Sequence, residues 1–462
     1  MVKRRTVLLG GAATAGALVI GWGVMPPRQR LHPSDPLPQT RGQAALNGWV
    51  KVGADNTVTV MMAKSEMGQG AHTGLAAILA EELDADWAQV RLEMTPIDDI
   101  YNNLATVVDG LPFHPDNDGS MKAVAGWLTA KTMREVGVMM TGGSSSIKDL
   151  WLPMREAGAH ARAMLIRAAA SQWGVQATEC TANAGWVEHS AGQRATFGEL
   201  AALAAQQPMP GKVTLKEPAQ FKLIGKPLTR IEAPSKLDGT AVFGIDANPP
   251  GLLHASLVMC PTRGGKVARF DAAAAQKLPG VKHVLEVAPY HGGTGGVAVI
   301  ADTPWHAKKA AAAVTVEWDH GPAATLSSET VMARLAQALE QAKGFGYHSA
   351  GDVDAAMQGA ATTITADYRA PYLAHAALEP INCTVQFKDG AATVWTSTQV
   401  PGLARRAAAK ALGIDDEKVT VHQLLLGGGF GRRLEADYVA QAAAIAKAAG
   451  GAPVQTLWSR EQ

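Results

Sequence analysis

The chain has 462 residues, enough for roughly two to four domains with hydrophobic cores of ordinary size. It carries 42 basic and 41 acidic side chains and no block of like charge, which argues against nucleic acid as a partner. Its 3 cysteines, Cys180, Cys260 and Cys383, lie far apart and form no CxxC pair. The sequence therefore offers no zinc, iron–sulfur or covalent haem site of its own.

The N-terminus has the pattern of an export signal. Arg4 and Arg5 precede the uncharged, glycine- and alanine-rich run Val7–Met25, as in a twin-arginine signal. That route carries folded proteins, so it suits a protein that takes up a cofactor in the cytoplasm. The run is also just long enough to span a bilayer and shows no convincing cleavage site. We therefore expect residues 1–30 to direct export to the periplasm and to act as a signal or membrane anchor.

The first predicted elements form a strand, a glycine turn and a helix. Residues 31–48 are polar and contain prolines, which predicts a linker, and an alternating pattern from Trp49 predicts a β-hairpin. The hairpin leads into Met67-Gly68-Gln69-Gly70, and Leu75–Leu83 predicts a helix with Thr73 as a candidate cap. A glutamine between glycines can approach a planar polar ligand closely. A tight turn with a solvated glutamine fits the same pattern equally well.

A second glycine turn follows a weakly periodic region. Thr141–Ser146 reads TGGSSS and precedes a helix predicted from Leu150 to Trp173. Hydroxyls and glycines before a helix can bind phosphate oxygens. Serines at this position more often act only as caps.

The middle of the chain predicts a separate module. Residues 227–320 alternate between strand and helix patterns. The predicted strands are 241–245, 253–259, 284–287, 297–301 and 314–318, and the predicted helices are 272–278 and 305–313. Residues 321–361 predict a linking segment, and strands resume at 363–366, 383–387 and 393–397, before a helix at 403–412.

A third glycine turn, Gly427–Arg433, lies between a predicted strand at 419–426 and a predicted helix at 440–449. Glycines permit a sharp turn, and if the turn opens the helix, its N–H groups and the helix dipole favour a phosphate or oxo-anion. Arg432 and Arg433 add positive charge, and Phe430 offers an apolar wall. A packing turn is the plainer interpretation of this stretch alone, but three such turns favour an anion-binding cradle.

Five motifs together resemble a known family. They are MGQG at Met67–Gly70, TGGSSS at Thr141–Ser146, APYLAHAALEP at Ala370–Pro380, WTSTQ at Trp395–Gln399 and LGGGFGRR at Leu426–Arg433. The combination resembles the large molybdenum-binding subunit of the isoquinoline 1-oxidoreductase type, within the xanthine oxidase and aldehyde oxidoreductase superfamily. The motifs MGQG and TGGSSS precede GGGFG, which is similar to the permuted order of this branch.

The resemblance implies an α+β, multi-domain molybdopterin-binding fold with an inserted, hammerhead-like α/β domain. Residues 49–210 and 362–462 match molybdopterin-binding segments, and residues 227–320 match the hammerhead-like domain.

The resemblance also implies roles for individual residues. Gln399 matches the amide that hydrogen-bonds an oxo ligand of molybdenum, and Phe430 matches the loop packed over the metal; these two are the candidate catalytic residues. The positions that match cofactor-binding residues are Met67, Gly68, Gln69, Gly70, Gly143, Ser144, Ser146, Gly428, Gly429 and Gly431. No protein side chain is expected to ligate the metal.

The implied cofactor is molybdopterin cytosine dinucleotide with molybdenum. Relatives of this type pair with a small subunit that carries two 2Fe–2S clusters, and a cytochrome c subunit is a further candidate partner. The implied reaction oxidises an aldehyde or an N-heterocycle with oxygen from water, while the cofactor carries the difficult step.

One expected group has no place in this sequence. The family uses a glutamate in a GE dipeptide near the C-terminus of a longer chain as general base. The chain ends at Gln462, so we expect the family's C-terminal part to lie on another chain or to be lost. Glu379 precedes a proline and is as readily structural as part of a pocket, and the solitary His72 and His375 predict hydrogen-bonded histidines rather than metal ligands.

Two other function classes stay open. One is a non-catalytic, membrane-tethered assembly or binding protein that keeps this fold. The other is a nucleotide-binding protein, which the sequence disfavours because GGGFGRR lacks the Lys-Ser/Thr of a P-loop and the spaced glycines of a dinucleotide fingerprint.

Overall fold

The computed structural model describes residues 28–462, apart from residues 291, 342–343, 345 and 347–349. The predicted signal run Val7–Met25 lies outside the described residues. Within the described part, no helix is both long and apolar enough to cross a bilayer. The chain forms two compact units. The first contains the described residues up to Leu111, Gly119–Ala241 and Gln399–Gly402, and the second contains the described residues of Pro112–Asp118, Val242–Thr398 and Leu403–Gln462.

The first unit is built on a four-stranded sheet in sequence order. Its strands are β1 (Gln43–Asn47), β2 (Val50–Gly53), β3 (Val58–Met62) and β4 (Val90–Met94). Strands β1 to β3 are antiparallel, and β3 pairs in parallel with β4. A parallel pair needs a crossover, which helix α1 (Ala71–Leu83) provides.

The predicted hairpin is confirmed, but its polar positions are not solvated. Every residue of β2 and β3 is buried, including Lys51. The Lys51 ammonium donates to Glu93 Oε2 at 2.7 Å and to Pro38 O at 2.9 Å. The alternation therefore reflects two covered faces rather than one core face and one solvent face.

Two further helices, labelled α4 (Ser146–Trp173) and α5 (Phe197–Ala204), pack against β1 and β2. The unit also contains α2 (Ala105–Asp109), α3 (Ser120–Val136) and α6 (Ala233–Leu237). Helix α4 packs closely on α1 at Gly158, where a Cβ would lie 2.4 Å from Leu79 O. A three-stranded antiparallel sheet, β5 (Cys180–Asn183), β6 (Trp186–His189) and β7 (Arg194–Thr196), completes the unit.

The strands of the second unit are β8 (Leu253–Met259), β9 (Lys266–Asp271), β10 (Val281–Val287), β11 (Gly296–Ala301), β12 (Thr315–Asp319), β13 (Asn382–Lys388), β14 (Ala391–Thr396), β15 (Val419–Gln423) and β16 (Val454–Leu457). Seven of them form one sheet in the order β10-β11-β8-β16-β13-β14-β15. Strands β9 and β12 form a separate pair. The large sheet thus joins strands from residues 227–320 with strands from residues 362–462, because β8 pairs in parallel with β16.

Helices α7 (Pro304–Ala311), α8 (Ser328–Gln341), α9 (Val353–Gln358), α10 (Pro401–Leu412) and α11 (Asp437–Ala446) follow in chain order. Small side chains of α11, such as Ala442 and Ala443, are buried in the core of the second unit. The mixture of helices and strands confirms the predicted α+β class.

The predicted linker at residues 31–48 is wrong at its end, because Gln43–Asn47 forms β1 by pairing with β2. Three other predicted elements are also wrong. Residues 241–245 form no strand, because the Asp246 carboxylate accepts the Phe243 N–H and a 3₁₀ turn follows at Gly244–Asp246. The helix predicted at 272–278 shortens to a 3₁₀ turn, Ala275–Lys277. Residues 363–366 alternate like a strand but are exposed and pair with no described strand, and a β pattern needs a face to pack against.

Candidate functional site

The loop that carries Met67–Gly70 connects β3 to α1. The carboxylate of Glu66, which directly precedes Met67, accepts hydrogen bonds at the start of that helix. Glu66 Oε1 accepts the N–H groups of Gly68 at 2.9 Å and Gly70 at 3.0 Å, and Glu66 Oε2 accepts the N–H of His72 at 3.0 Å. The sequence predicted Thr73 as the cap, which is wrong: the Thr73 hydroxyl donates to Glu232 instead. The Glu66 carboxylate therefore already occupies the anion site at the start of this helix.

Glu66 stays ionised in this position. Burial by itself raises the pKa of the Glu66 carboxyl, but the N–H groups of His72, Gly70 and Gly68 favour the charged form, and the net pKa lies below the ordinary value. The signal for this role was present in the sequence, as an acidic residue five positions before the first residue of α1. Sequence reasoning missed it because a cap is ordinarily sought next to the helical pattern.

The side chain of Gln69 folds onto its own loop. Its Nε2 donates to Ser65 O at 2.8 Å, and its Oε1 accepts the N–H of Met67 at 2.8 Å. Gly68 and Gln69 are exposed; Gly68 has a φ of 102°, and a Cβ added there would meet nothing within 4 Å. Arg230 donates to Gly68 O at 2.7 Å. The backbone of this loop is thus fixed in shape and open on one side.

The serine loop, Thr141–Ser146, lies at the start of α4. Gly143 and Ser144 have φ values of 62° and 52°, and both are exposed. Ser145 is buried; its hydroxyl donates to Gly142 O at 2.7 Å and accepts from Asn103 at 2.7 Å. Because the Ser145 side chain makes no capping bond to the helix, the first N–H groups of α4 stay open to a bound group.

Thr141 joins this loop to the other two predicted sites of the first unit. Its hydroxyl accepts the N–H of Ser65 at 2.8 Å, beside the Met67–Gly70 loop. Its backbone exchanges two bonds with Gln399: Thr141 N–H donates to Gln399 O at 2.9 Å, and Gln399 Nε2 donates to Thr141 O at 2.8 Å. Three motifs that are far apart in sequence are therefore hydrogen-bonded around one residue.

Gln399 carries an unpaired acceptor. The residue is 2% exposed, and its Oε1 has no hydrogen-bond partner among the described residues. A buried amide oxygen without a donor costs roughly 1–3 kcal/mol, so native proteins rarely retain one without a reason. The second hydrogen of Nε2 is also available to a bound group.

A buried cluster of charged side chains lies next to the serine loop. Asp149 in the first turn of α4 contacts the Lys64 ammonium at 2.9 Å and the Arg30 guanidinium at 3.3 Å. Lys64 also donates to Met140 O at 3.2 Å, next to Thr141. Burial favours neutral Asp149, but Arg30 and Lys64 outweigh it and hold the pKa of the carboxyl below its usual value. This cluster is not visible in the sequence, because its members lie far apart along the chain.

The glycine loop, Gly427–Arg433, belongs to the second unit. Gly428 and Gly431 have φ values of 100° and 92°, and Phe430 adopts the left-handed region with a φ of 51°. A Cβ on Gly428 would lie 3.1 Å from Phe430 Cε2, so the ring and the glycine backbone pack together. Phe430 is 70% exposed. A bulky residue in this conformation is strained by about 1–2 kcal/mol, a cost that is typical of functional loops.

Arg433 is a structural residue, which corrects its predicted role as a charge for a bound anion. It is fully buried, and its Nη2 contacts Glu379 Oε2 at 2.9 Å. Its guanidinium also donates to the carbonyl oxygens of Gly428, Ser397 and Glu379. Glu379 in turn accepts the Gly427 N–H at 2.8 Å and the Ile245 N–H at 2.9 Å. The pair fixes the base of the glycine loop.

Arg432 is also paired. Its guanidinium makes two bonds to Asp437, of 3.0 and 2.8 Å. The predicted helix does not begin at the glycines: a 3₁₀ turn, Arg432–Leu434, follows, and α11 begins at Asp437. The interpretation of this turn as an anion site at a helix start is therefore wrong, and Phe430 is its exposed feature.

The contacts of the remaining candidates are also clear. His72 is buried, and its Nε2 lies 2.8 Å from Lys64 O; burial lowers its pKa and favours the neutral ring. A cavity of about 600 Å³ in the second unit is lined by residues that include Arg263, Tyr290, His375 and Arg432. None of the predicted cofactor-binding residues lines it.

Comparison with known proteins agrees with these motifs. Family models of a molybdopterin cofactor-binding domain match residues 10–107 and 338–462. The β subunit of isoquinoline 1-oxidoreductase from Brevundimonas diminuta is 31% identical over 464 residues, covering 90% of this chain and 54% of that protein. The chain belongs to the molybdenum-binding subunits of the xanthine oxidase family.

Other relatives differ in the activity that their names state. A membrane-bound aldehyde dehydrogenase of Gluconacetobacter polyoxogenes, whose name specifies pyrroloquinoline quinone, is 32% identical and covers 89% of this chain and 50% of that protein. An aldehyde oxidoreductase structure from Desulfovibrio gigas has a TM-score of 0.40 and 17% identity, covering 84% of this chain and 40% of that one. The chain spans about half the length of the curated relatives it matches.

Proposed function

We propose that this chain is the molybdenum-cofactor-binding part of an oxidoreductase that oxidises an aldehyde or an N-heterocycle. The observation that carries the proposal is the orphaned Oε1 of Gln399, an amide whose Nε2 lies 2.8 Å from Thr141 O in the serine loop. A pterin cofactor carries N–H donors and phosphate groups in a single molecule. The residues around Thr141 offer a buried acceptor and an open helix start, which are the complementary groups.

The fit extends along the serine loop. Ser144 is exposed in a left-handed turn, and the first N–H groups of α4 follow it directly. Such a helix start stabilises phosphate charge by its dipole and by direct hydrogen bonds. In the proposed function, Gly143, Ser144 and Ser146 bind the phosphates. The Met67–Gly70 loop presents its backbone to the pterin, since the Gln69 side chain is already bonded within the loop.

When bound, the molybdenum cofactor supplies two-electron oxidation with oxygen taken from water. The role of Gln399 is to orient the cofactor through its amide, and the role of Phe430 is to exclude water with an exposed ring. We further propose the cytosine dinucleotide form of the cofactor, electron transfer to a 2Fe–2S subunit or a cytochrome c, and a periplasmic location with membrane association through the N-terminus.

Cofactor analysis of the purified full chain tests the proposal. Molybdenum together with a released cytidine nucleotide supports it. Bound pyrroloquinoline quinone without molybdenum, or a metal-free protein that still binds a partner subunit, contradicts it; the second result favours a non-catalytic binding protein.

Substitution of Gln399 tests the carrying observation. In the molybdenum-loaded enzyme assembled with its partners, Gln399→Ala should lower turnover by about a hundredfold, as for other lost hydrogen bonds at reacting centres. In the cofactor-free chain the thermal midpoint should change little, because one hydrogen bond of about 1 kcal/mol is removed and one unpaired oxygen is relieved.

Gln386→Ala is the matched control. Gln386 makes one side-chain bond to Gly451 O at 2.9 Å in the second unit. This variant should lose similar stability and keep full turnover. Equal turnover in the two variants at full molybdenum occupancy would contradict the role of Gln399.

A further inference from the structure

Arg230 lies beside the Met67–Gly70 loop in the first unit. The two residues that follow it are both bonded to Thr73 in the first turn of α1. The Ile231 N–H donates to the Thr73 hydroxyl at 3.0 Å, and that hydroxyl donates to Glu232 Oε2 at 3.2 Å. The backbone next to Arg230 is therefore fixed against the start of α1.

The guanidinium of Arg230 packs on the loop and keeps free donors. Its Nη1 donates to Gly68 O at 2.7 Å. A Cβ added to Gly70 would lie 3.5 Å from Arg230 Nε and 3.6 Å from Arg230 Nη2, so the guanidinium is in contact with this glycine. The side chain is 48% exposed. A guanidinium has five N–H donors, and among the described residues the bond to Gly68 O uses one of them.

The charge of Arg230 has no hydrogen-bonded carboxylate in the described part of the chain. Glu232 Oε1 lies 3.9 Å from Arg230 Nη1 and 3.5 Å from Lys236 Nζ, and it accepts no hydrogen bond from a described residue. The other acid at this helix start, Glu66, is already bonded to backbone N–H groups. The two arginines of the glycine loop, by contrast, are hydrogen-bonded directly to carboxylates. Arg230 is therefore able to pair with a bound anion.

Helix α1 brings Arg230 close to the serine loop. The Gly74 N–H donates to Gly70 O at 3.1 Å, so Gly74 lies one helical turn after the glycine that Arg230 contacts. A Cβ on Gly74 would lie 3.4 Å from Ile147 Cδ1, in the first turn of α4. Arg230 and the start of α4 thus contact α1 at points about one turn, roughly 5 Å, apart along its axis.

We propose that Arg230 binds a phosphate group of the cofactor between the Met67–Gly70 loop and the serine loop. This inference rests on the proposed function, because it adds a residue to the same cofactor site. Arginine binds phosphate through paired N–H donors in one plane, and the bond to Gly68 O orients that plane before the anion arrives. The sequence gives no sign of this role, because Arg230 is 162 residues from Gly68.

Binding of inorganic pyrophosphate to the full chain, prepared without cofactor, tests the proposal. In isothermal titration calorimetry, Arg230→Gln should weaken binding by about ten- to a hundredfold, since a hydrogen bond between charged groups is lost. Arg194→Gln is the matched control. Arg194 belongs to the same unit, is 52% exposed and pairs with Glu188 at 2.9 Å. This control should bind pyrophosphate as tightly as the wild type.

Two further measurements separate binding from folding. Thermal melts of the cofactor-free chain should give similar midpoints for Arg230→Gln and Arg194→Gln, because both replaced side chains are about half exposed. The purified, cofactor-loaded chain should lose more molybdenum and cytidine nucleotide during dialysis when it carries Arg230→Gln than when it carries Arg194→Gln.

The contrary results are distinct. If the wild type contains molybdenum but Arg230→Gln binds pyrophosphate as the wild type does, the role of Arg230 is refuted and the proposed function stands. A lower melting midpoint for Arg230→Gln with unchanged pyrophosphate affinity shows that Arg230 only holds the loop. Equal losses of affinity in the two variants indicate an adventitious ion only. A wild type without molybdenum and cytidine nucleotide refutes the proposed function and, with it, the cofactor as the ligand of Arg230.

Discussion

The buried pair of Glu379 and Arg433 gives the sharpest stability prediction. Glu379→Gln keeps the shape of the side chain but leaves the fully buried guanidinium of Arg433 without a counter-charge. Removing one partner of a buried pair costs about 3–5 kcal/mol, because the other charge stays desolvated. For a unit of this size that loss corresponds to roughly 6–20 °C in the unfolding midpoint.

Asp437→Asn is the matched control for that change. It removes the same charge from an arginine pair in the same loop, but the Arg432 and Asp437 side chains are 21% and 13% exposed. Partial solvent access limits the expected loss to about 1 kcal/mol. Differential scanning calorimetry of the two variants gives the comparison. Equal midpoints would refute the assignment of Glu379 and Arg433 as the structural base of the glycine loop.

The double variant E379Q/R433M separates the pair from its neighbours. With both charges removed, no uncompensated ion is buried, so the loss should be smaller than the sum of the two single losses. Additive losses would mean that Glu379 acts through its bonds to Gly427 and Ile245 rather than through Arg433.

Further predictions concern the first unit. Gly158→Ala should lower the unfolding midpoint, since the new Cβ would lie 2.4 Å from Leu79 O and force α1 and α4 apart at a cost of about 1–3 kcal/mol. Gly126→Ala, where the nearest atom is 3.5 Å away, should instead stabilise α3 by about 0.5–1 kcal/mol. If Gly158→Ala melted at a higher temperature than Gly126→Ala, this description of the packing would be contradicted. Glu66 has a folded pKa below its ordinary 4.5, so its contribution is present above that pH and is lost as the pH falls through the folded pKa. The difference in midpoint between wild type and Glu66→Gln should therefore be large at pH 7 and shrink in acid; a difference that is independent of pH would show that the carboxylate charge does not cap α1.

Local pattern was sufficient for much of the fold. Strand β8 was predicted with its observed bounds, Leu253–Met259, and Leu403–Leu412 lies within the observed helix Pro401–Leu412. Both are confirmed because hydrophobic spacing along a short segment is a local property. The strand predicted at 363–366 is wrong because a strand also needs a neighbouring strand to pair with, and the spacing of hydrophobic residues does not show whether one is present.

The motif residues divide in the same way. From the sequence alone, the glycine, serine and hydroxyl-bearing turns predicted an anion-binding cradle, and the resemblance of five motifs to a known family implied molybdopterin. Which side chains are free to bind was decided by tertiary contacts. Arg433 was predicted to attract a bound anion, but it forms an ion pair with Glu379. Gln399 keeps an unpaired side-chain oxygen, and its Nε2 is bonded to Thr141 O. Partners separated by tens or hundreds of residues determine burial and pairing, and a linear pattern contains no distance between them.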